Sequence, residues 1–242
     1  MTRGTYAETR KVLADDVNML REMRHSVFLR WLQEISIAHT EKLGAGRDKT
    51  LDRGALWIIA RVRAEIVRMP VYDETVTLRS WPGRTMHVLF PRYYELTDAN
   101  GSVLIRASAV WLLMDAETRK MAFPDKYGVK LPAITTGTEL ALPTGPADEY
   151  TDRSTYHRAA FSEVDINGHM NNSKYIDLAE DLTGFDYMTA HRTTSFEIEY
   201  KSEVKAGARI RLLWRADDDG IYVRGQHGRG ESFRLRMFCK PR

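Results

Sequence analysis

The sequence predicts an α+β protein made of two copies of one structural unit, each a long helix wrapped by a curled antiparallel sheet. An amphipathic helix pattern near the N-terminus is followed by segments in which apolar and polar residues alternate. The same succession returns in the C-terminal half, after a stretch rich in proline, glycine and threonine. A helix that is apolar on a broad face needs a sheet face to bury it, which favours the wrapped arrangement.

The first unit is expected to occupy residues 1–123. Its helix is predicted from Ser26 to about Leu43, where apolar side chains recur at helical spacing and Gly44 can end the segment. Alternating patterns after this helix predict four strands, and the Asp-Ala-Asn-Gly sequence at 98–101 predicts the turn between the last two. The strands are expected over 57–67, 75–81, 86–97 and 102–115.

Residues 124–152 contain four prolines and little apolar periodicity, so they are expected to form a linker. The second unit, residues 153–242, repeats the order of elements found in the first. It is expected to contain a strand over 156–164, a helix over 172–182 with Gly184 behind it, and strands over 193–204, 208–216, 221–226 and 232–239. The chain therefore looks like a duplicated unit.

The most informative segment is residues 165–175, which read Asp-Ile-Asn-Gly-His-Met-Asn-Asn-Ser-Lys-Tyr. On an extended backbone, Asp165, Asn167 and His169 would all project to one face and could reach one bound group. A predicted apolar helix follows directly, and its first N–H groups could bind an oxyanion. The plain alternative is that Asn-Gly makes a tight turn and that Asn172 or Ser173 caps the helix.

The composition excludes several classes of protein. The chain has 242 residues, of which 43% are hydrophobic, and this is ordinary for a globular protein. It shows neither a leader-like N-terminus nor an apolar run of bilayer length, so the cytoplasm is the expected compartment. The single Cys239 excludes an internal disulfide, and the histidines lack ligand spacing, so neither a metal nor another cofactor is expected.

Positive charge is concentrated at the C-terminal end, although the net charge is only +3. Between Ile221 and Arg242, six cations stand against Glu231 alone. Such a patch would attract an acidic partner, and a solvated strand face is an equally simple explanation. The patch lacks the interleaved aromatic residues of a single-stranded nucleic-acid platform, so nucleic acid is not an expected partner.

The duplicated pattern, together with Asp-x-Asn-x-His-x-Asn-Asn-x-x-Tyr at the second helix start, resembles the tandem hotdog fold of fatty acyl-ACP thioesterases of the plant FatA/FatB and bacterial type. The resemblance spans nearly the whole chain. Residues 56–81 and 106–115 look like the family's N-terminal strands, and residues 199–204 resemble the segment that carries its second acidic catalytic position. The resemblance implies hydrolysis of a fatty acyl-ACP thioester to free fatty acid and holo-ACP.

The family's catalytic residues fall on Asp165, Asn167, His169 and Glu203. Plant members carry a cysteine after this glutamate, whereas this chain has Val204, so a thiolate nucleophile is not expected. Glu203 would instead act as general base for water, with His169 hydrogen-bonded to it or to the thioester and Asp165 orienting Asn167 or His169. A covalent anhydride through a carboxylate is the alternative.

The developing oxyanion would be held by Asn167 and by a backbone N–H near Asn171 and Asn172. The first unit lacks an equivalent motif, because Leu20 falls where a histidine would be needed after Asp16 and Asn18. One active site per chain is therefore expected.

The first unit is expected to bind the acyl chain. Its bulky residues could line a tunnel, although plain core packing explains any one of them equally simply; they are Phe28, Trp31, Leu32, Ile35 and Trp57. Acyl carrier protein is strongly acidic and would meet the basic C-terminal patch. The residues expected to contact it are Arg224, Arg229, Arg234 and Arg236.

Three other functions fit the same pattern. The chain could be a tandem hotdog thioesterase acting on acyl-CoA, or a hydratase or dehydratase of similar fold. It could also be a non-catalytic acyl-binding module that keeps the pocket but not the turnover. Either a monomer or a homodimer is compatible with two hotdog units in one chain.

Overall fold

A computed structural model describes residues 4–228 and 230–242, which group into two units. The first unit runs up to Met23 and resumes over Arg30–Pro143. The second comprises Arg24–Leu29 and Thr144–Arg242. The segment 124–152, expected as a linker, is thus shared between the two units, with its boundary after Pro143.

The first unit contains a five-stranded antiparallel path. In the order β1-β3-β4-β5-β2 each strand is antiparallel to its neighbour, and the short β6 adds to β5. The elements are β1 (Tyr6–Lys11), α1 (His25–Lys42), β2 (Ala55–Ile66), β3 (Thr75–Pro82), β4 (Leu89–Thr97), β5 (Val103–Asp115), β6 (Met121–Ala122) and α2 (Pro124–Tyr127).

The second unit repeats this topology. Its elements are β7 (Arg153–Arg158), α3 (Lys174–Ala190), β8 (His191–Tyr200), β9 (Arg209–Asp217), β10 (Gly220–His227) and β11 (Gly230–Pro241). The strand order is β7-β9-β10-β11-β8, which matches β1-β3-β4-β5-β2 strand for strand. The predicted α+β fold with a duplicated helix-and-sheet unit is therefore confirmed.

Helix α1 is amphipathic as predicted, beginning one residue before Ser26. It ends where Gly44 takes a left-handed conformation with φ of +70°, which a residue without Cβ adopts at little cost. The bulky residues expected along a tunnel are core residues here, each at most 5% exposed; they are Phe28, Trp31, Leu32 and Ile35. Trp57 is half-buried and donates its indole N–H to the carbonyl of Ala45.

Helix α3 runs past its expected end. Gly184 has φ of +78° and ψ of 179°, so it breaks the helical geometry as its position in the sequence suggested. The chain then resumes helical structure up to Ala190. Tyr187 contributes to this second segment, because its hydroxyl donates to the carbonyl of Asp217 and its ring stacks on His191. No helix of the described residues is both long and apolar enough to cross a bilayer.

The duplication extends to the irregular chain before each helix. Residues 14–23 and 161–170 both run through a 3-10 turn, an isolated bridge and a tight turn. In the first copy, the Asn18 side chain accepts the N–H of Leu20 at 2.9 Å. In the second, Asp165 accepts the N–H of Asn167 at 2.8 Å. Asn18 is therefore the counterpart of Asp165.

This correspondence corrects the expected alignment of the two halves by two residues. Glu22 bridges Val71 in the way that His169 bridges Lys205. Glu22 therefore occupies the position in the first unit that His169 occupies in the second. Leu20 is the counterpart of Asn167. The first unit lacks the histidine, as predicted. The residue that replaces it, however, is Glu22 and not Leu20.

The core of the first unit contains a buried cation. Arg92 is 3% exposed and donates hydrogen bonds to Ser80 Oγ, Thr40 Oγ1 and His39 Nδ1. Among the described residues no carboxylate pairs with it. His39 and Thr40 belong to the last turns of α1, where the negative end of the helix dipole favours a cation. Burial and then Arg92 lower the pKa of His39 to about 4, because a second buried cation is unfavourable.

Stability should therefore fall as the pH drops from about 6.5 to about 4. In this window the unfolded chain protonates His39 and the folded chain does not, so protonation favours unfolding. We expect the free energy of unfolding to decline by about 1–3 kcal/mol over this range, after discounting for relaxation. His39→Gln keeps an acceptor for Arg92 and should flatten the decline, measured by urea unfolding at pH 7, 6, 5 and 4.5.

The matched control is His87→Gln, which replaces an exposed histidine and should keep the wild-type slope. Parallel curves for the wild type and His39→Gln would show that His39 does not set the dependence.

Candidate active site

The turn before α3 is tighter than the sequence suggested. Asp165, Asn167 and His169 do not lie on an extended backbone, because the N–H of Gly168 bonds the carbonyl of Asp165 and the N–H of Asp165 bonds the carbonyl of His169. Gly168 supports this turn with φ of +77°. The extended geometry was therefore wrong, and the turn alternative for Asn167-Gly168 was right.

The three polar side chains of the turn consequently have different environments. The Asp165 carboxylate braces the turn through the N–H of Asn167. Asn167 itself is exposed, whereas the side chain of His169 is 18% exposed. The imidazole is thus more enclosed than the carboxamide, which is available to a bound molecule.

His169 lies beside Glu203, with 3.4 Å between Nε2 and Oε2. Glu203 was expected within a strand, but β8 ends at Tyr200 because the N–H groups of Lys201 and Ser202 both turn to the carbonyl of Ser232. The carboxylate, 38% exposed, therefore stands on a loop. The structure brings together the two residues to which the sequence gave acid and base roles.

Two backbone hydrogen bonds hold this loop against the turn. The N–H of Met170 bonds the carbonyl of Val204 at 2.8 Å, and the N–H of Ala206 bonds the carbonyl of Gly168 at 3.0 Å. His169 and Lys205 form an isolated bridge between these two bonds. A short two-stranded contact therefore fixes the separation of His169 and Glu203.

Tyr175 is a positioning residue whose role the sequence did not reveal. It is 3% exposed, and its phenol lies beside the backbone of Val204. Its ring packs edge-on against Tyr200 and Phe233. Burial raises the pKa of the Tyr175 phenol above its usual range, so it stays a neutral hydrogen-bonding group. The signal in the sequence that could have indicated this role is the position of Tyr175 at the end of the motif at residues 165–175.

The start of α3 leaves one backbone N–H available. The N–H of Asn171 donates to the carbonyl of Glu163, and Asn171 Oδ1 accepts both the N–H and the hydroxyl of Ser173. Asn171 is thus occupied in capping the helix. Within the described residues, the N–H of Asn172 makes no hydrogen bond, while its carbonyl accepts the Tyr200 hydroxyl.

No cysteine is placed to act as a nucleophile. Val204, which follows Glu203, is fully buried. Cys239 is 6% exposed on β11, and burial raises the pKa of its thiol, so the reactive thiolate is disfavoured. Water is therefore the simplest nucleophile for chemistry at His169 and Glu203.

The arginines expected to contact a carrier protein are engaged in ion pairs. Arg224 pairs with Asp148 and Glu231, and Arg234 pairs with the same two carboxylates. Arg236 is 6% exposed and pairs with Glu149. This burial argues against Arg236 as a partner contact. Arg229 lies outside the described residues.

The chain matches two family models, one in each half. The acyl-ACP thioesterase N-terminal domain matches residues 3–126, and the acyl-ACP thioesterase C-terminal domain matches residues 147–233. A palmitoyl-acyl carrier protein thioesterase of Cuphea hookeriana is 26% identical over 206 residues, which cover 78% of this chain and 49% of that protein. A dodecanoyl-[acyl-carrier-protein] hydrolase of Cinnamomum camphora is 27% identical over 192 residues, covering 71% and 49%.

This chain therefore spans about half the length of the curated relatives it matches. Solved structures agree on the fold over almost the whole chain. A 12:0-ACP thioesterase from Umbellularia californica superposes with a TM-score of 0.83 at 20% identity, and an acyl-ACP thioesterase from Bacteroides thetaiotaomicron with 0.81 at 19%. Each alignment covers 98% of both chains. From the paired domain matches and the duplicated architecture, we conclude that the chain belongs to the acyl-ACP thioesterase family.

Proposed function

We propose that this protein hydrolyses the thioester of a fatty acyl-ACP, releasing a free fatty acid and holo-ACP. The observation that carries the proposal is the His169–Glu203 pair, 3.4 Å apart in the loops that precede α3 and follow β8. Family membership supplies the substrate class. The cytoplasm is the proposed compartment, although the curated relatives are described as chloroplastic.

Glu203 acts as the general base in the proposed mechanism. Its carboxylate takes a proton from water, and the resulting hydroxide adds to the thioester carbonyl carbon. His169, whose Nε2 lies 3.4 Å from the carboxylate, orients it, and the proton that Glu203 took from water passes to the departing sulfur. The carbon–sulfur bond breaks as the carbonyl re-forms, and the thiol leaves on the carrier. A carboxylate exposed to 38% can reach water without further opening of the site.

In this mechanism the developing oxyanion is held by hydrogen-bond donors on the side of the thioester opposite to Glu203. The Asn167 carboxamide is exposed and free to turn toward a ligand, and the N–H of Asn172 faces no partner within the described residues. The positive end of the α3 dipole adds to both. Asn171 is not a donor in this scheme, because its N–H and side chain are occupied.

Removing either member of the pair should abolish most of the turnover. Glu203→Gln eliminates the base, and His169→Ala eliminates the group that orients it. Each change should lower kcat about a hundredfold or more, the usual scale for a positioned acid or base. The measurement is release of free thiol from palmitoyl-ACP at saturating substrate.

His191→Gln is the matched control, because this histidine lies at the far end of β8 and its ring bonds the Tyr187 carbonyl and no other group among the described residues. It should retain wild-type turnover. Near wild-type rates in Glu203→Gln and His169→Ala would remove the mechanism. Incorporation of ¹⁸O from labelled water into the Glu203 carboxylate in a single turnover would replace it with the anhydride route.

Asp165 offers a separate test, because the first unit shows that an amide can make the same turn. Asn18 accepts the N–H of Leu20 just as Asp165 accepts that of Asn167. Asp165→Asn should therefore retain at least about a tenth of wild-type kcat, whereas Asp165→Ala should lose about a hundredfold, since the oxyanion donor at Asn167 is released. Equal losses in both variants would show that the charge of Asp165 takes part directly.

Parallel assays separate the proposed activity from its alternatives. Thiol release from acyl-ACP, acyl-CoA and pantetheine thioesters distinguishes the carrier, and hydration of an enoyl thioester detects a hydratase. Binding of acyl-ACP without thiol release would indicate an acyl-binding module instead.

A further inference from the structure

Two groups of cations in the second unit differ in their surroundings. The first group, Arg224, Arg234 and Arg236, is neutralised by Asp148, Glu149 and Glu231. The second group is exposed, and no carboxylate among the described residues lies within ion-pair distance of it. We name this second group the basic edge; its members are Arg158, Lys205, Arg209 and Arg211.

The register of the edge strand places these cations together. In the pairing of β7 with β9, Arg158 stands opposite Arg209 and Tyr156 stands opposite Arg211. These four side chains share one face of the sheet, because the alternate residues Ile210 and Leu212 are buried on the other. The Arg209 guanidinium lies 3.7 Å from the ring centre of Tyr156, which is 58% exposed. The face therefore combines cations with an accessible aromatic ring.

This arrangement is unfavourable for the isolated protein. Like charges directly opposite on neighbouring strands destabilise a sheet, and Arg158 faces Arg209 in this way. Elsewhere in the same unit, the carboxylates of the segment entering β7 neutralise the arginines of β9, β10 and β11. An anionic partner from outside would supply the missing neutralisation at the basic edge.

The basic edge is continuous with the candidate active site. Arg158 Nη1 donates to the carbonyl of Gly207 at 2.8 Å, and the N–H of Gly207 donates to the carbonyl of Ala159. The other side of the same turn is bonded to Gly168 through Ala206, and Lys205 bridges His169. One turn, residues 205–208, thus joins the basic edge to the residues that carry the proposed chemistry.

We propose that the basic edge is the docking surface for the acidic carrier domain that bears the thioester. This inference rests on the proposed function and adds the site at which the carrier binds. The positive charge of the basic edge favours an acidic partner, and a strongly acidic carrier domain can contact all four cations at once. Because residues 205–208 join the basic edge to the candidate active site, a carrier bound there would place its thioester near His169 and Glu203. The ion-paired Arg224 and Arg234 have no part in docking.

The test uses charge reversals at Arg209 and Arg211, whose side chains make no hydrogen bond within the described residues. Arg158 is left intact because it braces the turn beside the site. Arg209→Glu and Arg211→Glu should each raise the KM for palmitoyl-ACP several-fold, and the double variant about tenfold or more, with a weaker dependence on salt. The kcat/KM ratio of palmitoyl-ACP to palmitoyl-pantetheine should fall by the same factor.

Lys240→Glu is the matched control. Lys240 is exposed on β11 and pairs with Arg192 at the end of β8 opposite to Tyr200. It lies seven residues beyond Phe233, or about 23 Å along the strand. The same change of charge there should leave the KM for palmitoyl-ACP within about twofold. An equal effect of Lys240→Glu would show that net charge, rather than the basic edge, controls binding.

A binding measurement separates docking from turnover. Fluorescence anisotropy of labelled holo-ACP should report binding to His169→Ala, and Arg209→Glu with Arg211→Glu in that background should weaken it about tenfold. Unchanged anisotropy would overturn the docking surface even if hydrolysis occurs. An equal rise in KM for palmitoyl-CoA would assign the basic edge to phosphate groups rather than to the carrier. Absence of hydrolysis in the wild type, with docking intact, would refute the proposed function alone.

Discussion

The short two-stranded contact between residues 168–170 and 204–206 is the constraint on which the candidate site depends. It is made by backbone groups, so it holds whatever side chains stand at His169 and Glu203. The buried Tyr175 ring packs beneath it, with its phenol beside the backbone of Val204. Because the imidazole and the carboxylate come from different loops, their 3.4 Å separation is a product of this contact rather than of sequence spacing.

Much of the fold could be predicted because its signals are local. The apolar periodicity that buries Phe28 and Leu32 predicted α1, and simple alternation predicted most strands of both units, although β1 and the short β6 were missed. The order of elements revealed the duplication. The turn at 165–169 could not be read as reliably, because a side chain bonding its own backbone competes with the extended conformation that the spacing suggested. The end of β8 depended on Ser232, which lies 30 residues further along the chain.

The ion pairs of the C-terminal arginines also could not be predicted from the local sequence. The concentration of arginine near the C-terminus is real, but its meaning depends on carboxylates that lie far earlier in the chain. Asp148 and Glu149 reach Arg224 and Arg236 only because the segment before β7 runs across the strands that carry them. Arg209 and Arg211, which drew no attention in the sequence, are among the cations that the fold leaves exposed.

The residue after Glu203 has a consequence for the chemical durability of the protein. Val204 places a hydrocarbon side chain directly after Glu203, and the single cysteine of the chain is enclosed on β11. Alkylating reagents and peroxide therefore meet no accessible thiol beside His169. Oxidation of a thiol is therefore not a route by which the His169–Glu203 pair would be disturbed.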